Sequence, residues 1–128
     1  MTLSVRDLVA QARSRISEVD PGAFVEAAPG DVLIDVREPA EYAAGHLPGA
    51  INIPRGVLEF EIEAHPALGG VTDPALADRT RPITLYCRSG GRAALAAQSL
   101  QQLGFTRVRS LAGGIMAWTA AGLPVIAR

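Results

Sequence analysis

The residues able to do chemistry cluster in one stretch, Ile83-Thr84-Leu85-Tyr86-Cys87-Arg88-Ser89-Gly90-Gly91-Arg92, which holds the only thiol in the chain. The apolar lead-in reads as a buried strand and the alanine-rich run beyond Arg92 as a helix, so Cys87 falls on a strand-to-helix turn. Backbone N–H groups converge at such a turn, and together with the helix dipole they favour an anion. The same field favours a thiolate, the reactive form of cysteine. Arg88 and Arg92 add positive charge, and Ser89, Gly90 and Gly91 let the backbone come close to a ligand. A lone cysteine is often an inert core residue. A polar, cationic, glycine-rich surround is not the setting of one, and it points to a nucleophilic sulfur that handles an anionic substrate.

Other candidates are weaker. Asp35 lies within the apolar run Val32-Leu33-Ile34-Asp35-Val36. A carboxylate there needs partners, from local N–H groups or an arginine. Arg37 follows at the strand end. In open parallel sheets, sites form beyond the carboxyl ends of the strands, so Asp35-Val36-Arg37 and Tyr86-Cys87-Arg88 are expected side by side. His46 reads as a structural donor holding the Pro48-Gly49 turn, and His65 as a solvated loop residue. No histidine has a second ligand at metal spacing, so no metal and no cofactor are expected. Arg55 and Phe60 are candidates to line the substrate mouth, and Trp118 reads as core.

The elements that must position these residues follow from the pattern. Ser4 and Asp7 form a capping box for a first helix over Val5–Arg13, with Val5, Leu8, Val9 and Ala12 on one face. A strand over 16–19 and a helix over 22–28, with Pro21 at its start and Pro29-Gly30 at its end, come next. Val32–Val36 is a strand covered on both faces, and a short helix over 40–44 opens at Pro39 and closes at Gly45. A strand spans 50–53. Residues 55–81 are ambiguous: Val57, Leu58, Phe60 and Ile62 alternate with Glu59, Glu61 and Glu63, and the part from Ala67 to Pro82 reads as loop with a helical turn near Pro74–Ala77. A helix over 93–103, a strand over 105–111 and a helix over 115–121 complete the chain, with Gly113-Gly114 as a turn. Strands alternating with helices define an α/β fold with a central, mainly parallel sheet flanked by helices on both faces.

Composition bounds the function. The 128 residues carry a net charge of −1 and are 48% apolar, the profile of one globular domain. No nucleic-acid or membrane surface is implied. All 12 basic residues are arginine, which excludes a lysine Schiff base. One cysteine permits no internal disulfide and fits a reducing compartment. With no signal-like N-terminus and no apolar run of spanning length, a cytoplasmic location is expected.

Four blocks in this order resemble a rhodanese (thiosulfate sulfurtransferase) domain. They are Leu33-Ile34-Asp35-Val36-Arg37-Glu38, Gly45-His46-Leu47-Pro48-Gly49-Ala50-Ile51-Asn52-Ile53-Pro54, Cys87 to Arg92, and Leu111-Ala112-Gly113-Gly114-Ile115 with Ala117-Trp118 and Gly122-Leu123-Pro124. The resemblance implies one rhodanese-like domain over residues 1–128, with about the first 15 an N-terminal helical addition. It also implies catalysis through a Cys87 persulfide. A small anionic donor such as thiosulfate, or a persulfide, gives up its outer sulfur, and a thiol, cyanide or a sulfur-carrier protein accepts it. Arg88, Ser89, Gly90, Gly91 and Arg92 would bind the donor, with Asp35 and Arg37 supporting the loop. Related phosphatases and arsenate reductases space Cys and Arg by five residues, whereas four separate Cys87 from Arg92. A tetrahedral phosphoryl group needs the wider cradle. The remaining alternative is a non-catalytic interaction or sulfur-carrier-docking module. The physiological donor and acceptor, and the oligomeric state, are left open by the sequence.

Overall fold

The computed structural model describes residues 2–27, 30–65 and 78–127. Eleven of its elements are named here: α1 (Val5–Arg13), β1 (Ser17–Val19), α2 (Pro21–Ala27), β2 (Val32–Asp35), α3 (Pro39–Ala44), β3 (Ile51–Asn52), α4 (Leu58–Glu61), β4 (Ile83–Tyr86), α5 (Gly91–Gln102), β5 (Val108–Leu111) and α6 (Gly114–Ala120). The strands form one sheet in the order β1-β5-β4-β2-β3, and every pairing is parallel.

The sheet is apolar on both faces because helices cover both. Val32, Ile34, Ile83 and Leu85 face a core layer closed by Leu58, Ala93, Ala97 and Leu100 of α4 and α5. Leu33, Tyr86 and Leu111 face the opposite layer, with Trp118 of α6, Phe24 of α2 and Tyr42 of α3. Each residue of β2 and β4 is buried, as expected of central parallel strands. Trp118 is core, donating its indole N–H to the Pro124 carbonyl at 2.8 Å and meeting Phe24 edge-on.

The Ser4–Asp7 capping box is present in both directions, and α1 runs over the expected residues. Its expected apolar face is only partly used. Ala12 is buried and Val9 half-buried, while Val5 and Leu8 remain 70% and 43% exposed. The helix lies on α5, outside the sheet, so one line of contact suffices. The ambiguity at 55–64 resolves into helical turns: 3-10 geometry at Arg55–Val57, then α4, then a second 3-10 turn at Ile62–Ala64. Leu58 and Ile62, four residues apart, are the buried pair, so the acidic alternation is a solvent-facing pattern with no strand behind it. His65, at the end of these turns, is half-buried and not the solvated loop residue expected. The expectations for Ala28, Pro29 and residues 67–77, including the turn near Pro74–Ala77, lie outside the described residues.

Candidate active site

The parallel register sets Asp35 of β2 beside Tyr86 of β4, so the two strand ends expected to be neighbours are neighbours. The pairing continues past the strands, with the Val36 N–H donating to the Tyr86 carbonyl at 3.0 Å. Asp35 is fully buried. Its carboxylate accepts the Arg37 backbone N–H at 2.9 Å, the Arg37 guanidinium on both oxygens, and the Tyr86 hydroxyl at 2.8 Å. Arg37 also donates to the Gly45 carbonyl at 2.6 Å, which ties α3 to the strand end. Tyr86 in turn accepts the Leu47 N–H at 3.1 Å. Burial pushes the Tyr86 phenol up, and the Asp35 charge adds to this, so it stays protonated. Burial alone would lower Arg37, but Asp35 outweighs it and Arg37 rises. The residue immediately before the cysteine is therefore held through its phenol oxygen, by Asp35 on one side and Leu47 on the other.

Cys87 is 1% exposed. Its sulfur accepts the Gly90 N–H at 3.1 Å and the Ala93 N–H at 3.4 Å. Gly90 is the N-cap of α5 and Ala93 its third residue, so these are donors that a helix start leaves without intrahelical partners. Ala93 lies one residue beyond the expected cradle. Its signal was available in the position of the helix start.

The loop carbonyls are turned the other way. The Ile115 and Met116 N–H groups, in the first turn of α6, donate to the carbonyls of Cys87 and Arg88 at 3.0 and 3.1 Å. Gly114 permits this approach. A β-carbon on it would stand 2.5 Å from both carbonyl oxygens, and its φ is +60°. Carbonyls fixed on α6 leave the N–H edge of the turn to the sulfur. This clamp was missed in the sequence, where Gly113-Gly114 read simply as a turn.

The two loop arginines differ. Arg92 makes a two-pronged ion pair with Glu41 of α3, at 2.8 and 3.2 Å, and the guanidinium donating to Glu41 lowers that carboxyl to about 2. Arg88 is exposed and borders two grooves. One holds Cys87, Ser89, Gly91, Arg92 and Leu95, walled by Val5 and Val9 of α1. The other is largely apolar, with Ala44, Ile115, Met116 and Val125. Neither Arg55 nor Phe60 lines these grooves, contrary to expectation. Arg55 is engaged by Glu59 and by Ser99, about two turns along α5 from Arg92, and Phe60 stands 86% exposed. His46 is structural: its Nδ1 lies 2.9 Å from the Tyr42 carbonyl, so it donates there, and the ring stacks on Tyr42 at 3.8 Å. Among the described residues no group of three or more His, Cys, Asp or Glu side chains is placed to hold a metal ion.

Comparison with known proteins adds the lineage. A family model described as rhodanese-like domain matches residues 23–121. A sulfurtransferase from Allochromatium vinosum is 36% identical over 96 residues, covering 75% of this chain and 78% of its own. A human thiosulfate:glutathione sulfurtransferase is 38% identical over 90 residues, covering 67% and 76%. Among solved structures, a Rhodopseudomonas palustris protein described as of unknown function and a possible tyrosine phosphatase superposes with a TM-score of 0.78 at 29% identity, covering 98% of this chain and 96% of that one. A polysulfide-sulfur transferase homodimer from Wolinella succinogenes gives 0.69 at 29% identity, covering 96% and 87%. With its matched residues including four of the five strands and the cysteine loop, the chain belongs to the rhodanese-like domain family.

Proposed function

We propose that this protein is a sulfurtransferase that carries sulfane sulfur on Cys87. The carrying observation is the pair of N–H groups, from Gly90 and Ala93, already directed at the Cys87 sulfur. In the first half-reaction the Cys87 thiolate attacks the outer sulfur of thiosulfate or of a persulfide. The donor S–S bond breaks, its electron pair leaves on sulfite or on the donor thiolate, and a Cys87 persulfide remains. In the second, a thiol, cyanide or a sulfur-carrier protein attacks the outer sulfur, and the Cys87 thiolate is restored. The anionic persulfide occupies the same N–H cradle, which stabilises it electrostatically without reorganisation.

In this reading Arg88 meets the donor as the loop cation without a carboxylate partner among the described residues, while Arg92, with Ser89, Gly90 and Gly91, shapes the cradle. Arg92 contributes less free charge than its position suggests, because Glu41 already engages it. Asp35 and Arg37 act through Tyr86 and hold the loop from behind. Residues 1–128 form one functional unit in which α1, outside the family match, is an addition on the rhodanese-like core. A thiol that must stay free fits the reducing cytoplasm. A phosphatase reading has the Rhodopseudomonas neighbour's description in its favour, but four residues between Cys87 and Arg92 leave a cradle sized for one sulfur atom.

Steady-state kinetics test the reading. Thiosulfate and cyanide varied together should give the parallel-line pattern of a ping-pong reaction, and Cys87→Ser should reduce thiocyanate formation to background. Intersecting lines, or transfer that survives Cys87→Ser, would remove the persulfide from the mechanism.

A further inference from the structure

The N-terminal helix lies outside the family match, yet it reaches the cysteine loop. A β-carbon on Gly91 would contact the Val9 side chain at 3.7 Å, and one on Gly90 would meet the Arg13 guanidinium at 2.8 Å. The Cys87 groove has Val5 and Val9 of α1 on one side and Leu95 of α5 on another. A depression continuous with it, through Val5, Val9, Ser89 and Gly91, adds Arg6 and Arg13. The groove volume, about 290 Å3, is several times the ~30 Å3 share of a liquid water, so an organic molecule larger than thiosulfate fits.

The charge on this wall is one-sided. Arg37, Arg55, Arg79, Arg92 and Arg109 each have a carboxylate partner. Among the described residues Arg6, Arg13, Arg15, Arg81, Arg88 and Arg107 have none, and three of these six, Arg6, Arg13 and Arg88, line the two depressions. No Asp or Glu lines either depression. Asp7, adjacent to Arg6 in sequence, is turned to the Ser4 N–H at 2.9 Å. What sets Arg6, Arg13 and Arg88 apart from the other unpaired arginines is their place, around one aliphatic strip and a buried sulfur with no lining carboxylate.

We propose that α1 completes the active site as the acceptor wall: Arg6 and Arg13, with Arg88, hold the carboxylate of an organic thiol whose aliphatic carbons lie on Val5, Val9 and Leu95. The assignment rests on the Cys87 persulfide reading and names its acceptor class. The acceptor thiolate attacks the outer sulfur, the Cys87–sulfur S–S bond breaks, and the product leaves as an organic persulfide. Arg6 and Arg13 are specificity-determining residues. They touch the acceptor's carboxylate and not the reacting sulfurs.

The experiment loads the protein with sulfur from thiosulfate, removes the donor, and follows loss of the persulfide by intact mass. Two acceptors are compared, 3-mercaptopropionate with a carboxylate and 2-mercaptoethanol without one. The variants are Arg6→Gln, Arg13→Gln and both together, with Arg107→Gln as the control. Arg107 is an exposed arginine at the opposite end of the sheet, beside Pro82 and Val108. Each α1 substitution should raise the half-saturating concentration of 3-mercaptopropionate by about three- to tenfold. It should leave 2-mercaptoethanol transfer and the rate of loading unchanged, and Arg107→Gln should change neither acceptor. Equal effects on both thiols, or none on either, would overturn the acceptor wall while leaving Cys87 as sulfur carrier. Failure of the unaltered protein to load sulfur would overturn both, and it is read before any acceptor is added.

Discussion

Replacing Gly114 by alanine tests how the cysteine loop is aimed. The new β-carbon would stand 2.5 Å from the carbonyl oxygens of Cys87 and Arg88, where ordinary contact begins at 3.4 Å. Both obstacles are backbone, so no side chain can swing aside, and the loop must retreat from α6 by roughly 0.9 Å. That retreat stretches the Ile115 and Met116 hydrogen bonds and turns the Gly90 and Ala93 N–H groups off the sulfur. A misplacement near 1 Å costs reactions of this kind on the order of 100-fold. The left-handed backbone adds about 1–2 kcal/mol of strain for any residue with a β-carbon. Gly122→Ala separates the two effects. Gly122 has φ +77° but nothing within 4 Å of a β-carbon, so it carries the strain without the clash. Both variants should melt several degrees below the unaltered protein. Only Gly114→Ala should load sulfur from thiosulfate about 100-fold more slowly, measured as the rate of mass gain. Loading of Gly114→Ala at the unaltered rate, or equal slowing in both variants, would refute the carbonyl clamp.

Further outcomes follow from the buried network and the ion pair. Tyr86→Phe removes a hydrogen bond to the Asp35 carboxylate and strands the buried Leu47 N–H, and it should cost about 3 kcal/mol in urea unfolding; a loss below about 1 kcal/mol would contradict the role given to the phenol. Glu41 is held at about 2 against an ordinary 4.5, so the stability gained from its pairing with Arg92 is present above pH 4.5 and is lost as the pH falls toward 2. The pair is about one-third exposed, which keeps that contribution small, and Glu41→Gln should flatten only this acid limb of the stability profile. The same variant frees the Arg92 charge at the edge of the cradle and should lower the KM for thiosulfate; an unchanged KM would show that this charge does not act on the donor.

The residues that announce the site were adjacent in sequence, and local rules were enough for them. Cys87 to Arg92 is a strand end, a turn and a helix start in one run, and each part limits its own backbone. The placement of Asp35 beside Tyr86 followed from parallel pairing, which puts the carboxyl ends of neighbouring strands together. What escaped depends on contacts between distant segments. Glu41 and Arg92 are 51 residues apart, and nothing in either neighbourhood specifies the other. Gly114 matters because α6 meets the cysteine loop, a consequence of the strand order and not of the glycine's own surroundings. Residues 55–64 stayed open between strand and helix because glutamates at every second position imitate strand alternation, while the buried spacing that decides is Leu58 to Ile62. Arg55 and Phe60 were placed near the site on their types alone. The sheet carries them elsewhere, Arg55 to Ser99 and Phe60 to solvent.

The central claim is that Cys87 carries sulfur, and intact mass measures it directly. Protein treated briefly with thiosulfate should gain one sulfur atom, roughly 32 Da, which cyanide or excess thiol removes and which Cys87→Ser does not acquire. No gain in mass from thiosulfate or from a persulfide donor, or the same gain in Cys87→Ser, would contradict the account.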